Sequence, residues 1–195
     1  MSLSRSGFEL NEIWARQQAS LTEMDASIRT LERAHSAGGS PRSRELLAHA
    51  YARAGRGRDA AQLFAEPHIE AHDEAARKWE STYSDEDRKA KEGHATKIHN
   101  IAIKHGVRTG AIIPPRPEET PSDHAHRVIR YFYRGFGPQH RLTAGGTAHH
   151  ANDHQNLDNI VDGLKHWHGD THDIEGSHSQ YGNTVIRVAP KKDQP

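Results

Sequence analysis

"DHQNLDNIVDGLKHW", Asp153 to Trp167, decides how the last third of this chain is read. Leu157, Ile160, Val161, Leu164 and Trp167 recur at three- and four-residue steps, the period that gathers them into one helical stripe. Asn152 and Asp153 stand where an N-cap and a first-turn carboxylate belong, so the helix is predicted to start there. On the opposite face His154, Asp158, Asp162 and His166 step by four. Neighbours in such a line can share a metal ion, though a polar line is also what any amphipathic helix shows to water.

The segments around this helix are of another kind. "NTVIRVAP", Asn183 to Pro190, is β-branched and reads as a strand. "HAHRVIRYFYRGFGPQHR", His124 to Arg141, holds a short apolar block that suits helix or strand. Its Arg127, Arg130, Arg134 and Arg141 interleave with Tyr131, Tyr133 and Phe136, as phosphate contact and base stacking require. The same pattern also describes a small core with a charged rim.

Toward the N-terminus the period is helical throughout. Leu10, Ile13, Trp14, Leu21, Met24, Ile28 and Leu31 mark a helix from Gly7 to about His35, stopped by "HSAGGSPRS". "RELLAHAYARAG" forms a second helix ending at Gly55, and "GRDAAQLFAEP" a third ending near Pro67. Leu47, Tyr51, Ala60 and Phe64 fall at the spacing of a single tetratricopeptide- or pentatricopeptide-like hairpin, about 43–66, with no second copy in register. Charged helix continues from His68, with a break at "TYSDED" where Ser84 suits an N-cap. "GVRTGAIIPPRPEETPSD", Gly106 to Asp123, is rich in Pro, Gly and Thr and reads as a linker. The expected fold is a mainly α N-terminal half, 1–105, then a linker, 106–123, then a small irregular α+β domain, 124–195.

Composition narrows the function. Hydrophobic residues are 33% and charged residues 27%, which leaves material for modest cores only. Lys+Arg and Asp+Glu both number 26, so net charge announces neither a nucleic-acid nor a membrane binder. No cysteine is present, which excludes thiol nucleophiles, disulfides and thiolate metal sites. The start of the chain lacks the apolar run of a signal peptide, and nothing approaches a membrane span. The expected setting is therefore the cytoplasm, or export by a specialised secretion system.

Histidine is the outlier, with 17 in 195 residues. The stretch from His149 to His178 concentrates imidazole and carboxylate around one cation, Lys165. Those are the ligands that a divalent ion takes when thiolate is absent. His149 and His150 follow two glycines, and His168 and His172 lie beyond the helix, so separate segments offer ligands. "HIEAH", His68 to His72, has a zincin's histidine spacing with its glutamate misplaced, and reads as an exposed helix start.

"AHH" at Ala148 to His150, the Asn-bearing helix and "HGDTH" after it resemble the HNH/endonuclease VII superfamily, and more narrowly its Ala-His-His toxin nucleases. The resemblance covers about Gly145 to Val185. It implies a strand–strand–helix metal fold in which His149 binds a divalent metal (Zn, Mg or Mn) and His150 activates water. Asn159, or Asn156, would orient that base. His168 and His172 would complete the metal site, with His154 on the helix face a further candidate ligand. "GSHSQYGNTV" resembles the His-Ser-x-x-Tyr segment of the same domains and makes His178 an alternative ligand. The implied function is a metal-dependent nuclease on DNA or RNA, a secreted effector with an immunity or delivery protein as partner. The alternatives are another His/Asp metallohydrolase, such as a cell-wall amide hydrolase, and a non-enzymatic helical adaptor with surface or pH-sensing histidines.

Overall fold

The computed structural model describes residues 4–132, 139–143, 146–151, 156–178 and 184–192, with side chains for 16–132, 156–178 and 184–192. The chain is mainly helical, with a small antiparallel sheet near its C-terminus. Six helices are described: α1 Ser4–Ser36, α2 Pro41–Arg53, α3 Gly57–Thr82, α4 Asp85–Lys104, α5 Pro121–Phe132 and α6 Leu157–His168. The strands are β1 Gln139–Thr143, β2 Gly146–Ala151, β3 His172–His178 and β4 Thr184–Pro190, in the order β1-β2-β4-β3. Two compact units divide the chain, 1–64 and 65–195. Among the described residues no helix is long and apolar enough to cross a membrane.

In the first unit Ile28, Leu47, Tyr51 and Ala60 share one core, with Met24, Leu31 and Phe64 packed against it. Ser40 caps α2 by accepting the Ser43 amide, and Pro41 fills the first turn, where its missing N–H costs nothing. Tyr51 donates to Glu32 at 2.7 Å, and Arg56 lies 3.9 Å from the Tyr51 ring centre. Burial and the Glu32 carboxylate push the Tyr51 hydroxyl up to about 12.

The helix expected to end near Pro67 does not end there. α3 runs on to Thr82 with Pro67 inside it. Proline removes one ladder hydrogen bond and crowds the preceding turn. The stripe Ala65, Ile69, His72, Ala76 and Trp79 is buried along its length, and that burial outweighs the local penalty. The helix stops where Tyr83 turns left-handed at φ 55 and Ser84 caps α4, accepting the Asp87 amide at 3.1 Å.

Part of the segment expected as a linker is core. Thr109, Gly110, Ala111 and Ile112 form a 3-10 turn, and they and Ile113 are buried. Gly110 meets Gly163 of α6 backbone to backbone, so close that a side chain at either glycine would strike the other segment. Trp167 donates its indole N–H to the Gly110 carbonyl at 3.1 Å. Glycine here permits a close approach between two segments rather than a flexible joint.

α6 carries the expected stripe, with Ile160, Val161 and Leu164 buried. It begins at Leu157 with Asn156 as N-cap, later than the sequence suggested, and Asn152 to His154 lie outside the described residues. Asp158, Asp162 and His166 are exposed, as a solvated face requires, and Asp162 pairs with Arg108. The helix lies on β3, where Gly176 leaves room for Leu157 and Val161, and α5 packs on β2 and β4. Paired Ile174 and Val188, with Ile186, form the sheet's buried side.

Candidate functional site

The most elaborate polar assembly centres on Asp73 in α3. One carboxylate oxygen accepts the Tyr131 hydroxyl at 2.7 Å and the His72 Nδ1–H at 3.1 Å. The other accepts Arg116 at 2.6 Å and stands 3.5 Å from Arg127. Burial alone would raise the Asp73 pKa. The bonds from His72 and Tyr131 and the Arg127 charge overcome it and hold the group below its ordinary value. Arg127 is no solvated rim residue: it is buried, forks onto Glu119 at 2.5 and 2.8 Å, and donates to the Pro114 carbonyl. Two carboxylates thus neutralise Arg116 and Arg127 within a low-dielectric setting, the condition for a buried ion network to persist.

His72 is 1% exposed rather than part of an exposed helix start, and it stacks on Tyr131 with ring centres 3.8 Å apart. Burial lowers its pKa below the usual histidine value, against the opposing pull of Asp73. The neutral ring gives its Nδ1 proton to Asp73 and so keeps a lone pair on Nε2. Among the described residues Nε2 has no hydrogen-bond partner. His72 also lines a cavity of about 820 Å³, with Lys89, Lys91 and Glu92 of α4 and Arg130 of α5 on its walls. Lys91 is 4% exposed, and burial lowers its pKa; its ammonium lies 4.4 Å from the Trp79 ring centre.

A second assembly joins α5 to the end of α6. His124, fully buried, bonds through Nδ1 to His168 Nε2 at 2.8 Å and through Nε2 to the Ile113 carbonyl at 2.9 Å. The carbonyl accepts only, so His124 carries its proton on Nε2 and His168 donates to its Nδ1. Burial pushes the His124 pKa down to about 4, and His168 is lowered by burial and by His172. The His168 and His172 ring centres stand 6.4 Å apart.

The sheet register sorts the predicted site residues. The side chains of His149 and His150, and the whole of His154, lie outside the described residues. The backbone of 149 pairs with Ile186, on the helix-covered face, and that of 150 with Val185. His178 pairs with Thr184, which pairs with Ala151, so His178 belongs to the same end of the sheet as the pair. His172 pairs with Pro190 at the other end. At sheet spacings, His172 is about 13 Å along and about 10 Å across from position 149, too far for one ion. His168 belongs with His172 and His124. Asn159 sits in the first turn of α6, its carbonyl against Gly110.

At the same spacings His178 is about 7 Å along and about 10 Å across from position 149, nearer than His172. Among the described residues no three His, Asp or Glu side chains stand ready to hold an ion. The Asp73 network and the His72 cavity were missed from sequence, because nothing in "HIEAHDEAARKW" distinguishes a buried histidine from an exposed one. The only available signal was the stripe that His72 shares with Ile69, Ala76 and Trp79. No protein-family model, curated protein or solved structure matches this chain.

Proposed function

We propose that this chain is a metal-dependent nuclease hydrolysing phosphodiester bonds in DNA or RNA. One observation supports the reading above others: β1 and β2 form a hairpin, β2 carries positions 149 and 150, and the next described helix, α6, packs on the same sheet. That is the strand–strand–helix order that the Ala-His-His resemblance implies. The pair also stands next to Ala151, the last described residue of β2.

His149 and His178 would hold the metal, with His154 as a third donor. A bound ion would supply charge stabilisation to the scissile phosphate and its leaving oxygen. His150 would take the proton of the attacking water, a task suited to neutral imidazole near pH 7. Delivery as a secreted effector, with an immunity or delivery protein bound through the helical half, is the setting that the resemblance implies.

The test is degradation of plasmid DNA and of RNA with Mg²⁺, Mn²⁺ or Zn²⁺, with and without chelator. Wild type should cleave at least one substrate only when metal is present, and His150→Ala should lose at least a hundredfold in rate, the usual scale for a positioned base. Equal cleavage by wild type and His150→Ala ends the reading.

A further inference from the structure

We propose that the cavity beside His72 binds the phosphate of a nucleotide-sized phosphomonoester, independently of the nuclease reading. Its walls bring together Lys89, Lys91 and Arg130 against one carboxylate, Glu92. Glu92 is engaged by Arg88 at 3.2 Å, and Arg130 pairs with Glu80 at the cavity's side. A phosphate dianion entering here meets Lys91 and Arg130, both taken largely out of water, where charge-assisted bonds are strongest, and the exposed Lys89.

Two further features point to a bound ligand rather than to a merely basic surface. Asn156, the N-cap of α6, lines the same cavity. The positive end of the α6 dipole thus adds to the cavity wall. The second feature is His72, buried, held by Asp73 at Nδ1, with Nε2 unpartnered among the described residues. A buried polar atom left without a partner is costly, and a ligand hydroxyl would satisfy it.

The size identifies the ligand class. About 820 Å³ is the volume of a small-molecule site and exceeds what one phosphate fills. Phe132 and His99 add ring surface to the lining, suited to a sugar or base attached to the phosphate.

Isothermal titration of the full chain in metal-free buffer tests this, with 5′-AMP, inorganic phosphate and adenosine as probes. Binding of 5′-AMP at one site per chain is expected, at least tenfold tighter than phosphate alone, with no heat from adenosine. Lys89 is exposed, so Lys89→Glu leaves the fold intact, and it should weaken 5′-AMP about tenfold, the scale of one charge-assisted contact. His72→Gln, checked for folding by circular dichroism, should weaken it as well. Absence of 5′-AMP binding, phosphate binding as tightly as 5′-AMP, or an unchanged affinity in Lys89→Glu each overturns the proposal. No polynucleotide and no metal enters the experiment, so its failure is distinct from failure of the nuclease reading.

Discussion

His124 and His168 meet ring to ring inside the protein, Nδ1 to Nε2 at 2.8 Å, and among the described residues no carboxylate hydrogen-bonds to either ring. His124 must be neutral for this contact, because its Nδ1 has to accept, and burial and the nearby His172 favour the neutral form of His168 as well. Protonation of His124 puts a charge at a fully buried site and removes the acceptor at once.

The pH dependence follows with a definite sign. His124 has a folded pKa of about 4, below its unfolded value of about 6.5, so the unfolded chain binds the proton first. Its contribution is full above pH 6.5 and is lost as pH falls toward 4, on the order of 3 kcal/mol in total. His72 and His168 are also lowered and act in the same direction. Urea midpoints should therefore drop steadily between pH 7 and 4.5, with the His124 Cε1 proton resonance still untitrated at pH 5.5. A midpoint constant across that range contradicts the buried pair.

Asp73 serves four donors, which sets the order of two substitutions. Asp73→Asn leaves buried Arg127 with one carboxylate fewer and turns one of two fully used acceptor oxygens into an NH2 donor facing other donors, a loss of about 3 kcal/mol on the scale of a broken buried network. Arg116 is 40% exposed at its side chain, so Arg116→Ala should cost less, about 1 kcal/mol. Chemical denaturation at pH 7 measures both, and equal losses would mean that Asp73 is not the hub.

Gly163 faces Gly110 without room for a methyl group. Gly163→Ala gains helix propensity, worth about 1 kcal/mol on an open helix. The clash is with backbone, which cannot rotate aside, so a net destabilisation of about 2 kcal/mol or more is expected from overpacking. A melting temperature at or above wild type would show that the two segments separate in solution.

Within the nuclease reading the sheet register ranks the ligands. His178→Ala should reduce metal-dependent cleavage at least tenfold, as loss of a ligand does, whereas His172→Ala should leave it within about twofold. The reverse order would move the metal to the other end of the sheet.

How much was legible from sequence follows from the range of each cause. The α6 stripe and the Ser84 cap were readable, because their reasons lie within a turn or two of the chain. The continuation of α3 past Pro67 was not, since the burial that overrides the proline is supplied by other segments. The stretch 106–123 misled for the same reason. Proline and glycine mark a loop locally, but what Gly110 is for depends on Gly163, far along the chain. For the candidate site, the end-to-end separation of His172 from His149 needed the strand register, which no spacing in the sequence encodes.

The Asp73 network also bears on how this protein can be divided. A segment begun at 124, where composition changes, takes Arg127 and Tyr131 away from Asp73 and α6 away from Gly110. It exposes a slot on α6 and strands a guanidinium that had two counter-charges. As a transferable cassette, for fusion or for natural recombination, the His-rich region is inseparable from the helices before it. The smallest piece that keeps its own chemistry begins inside α3.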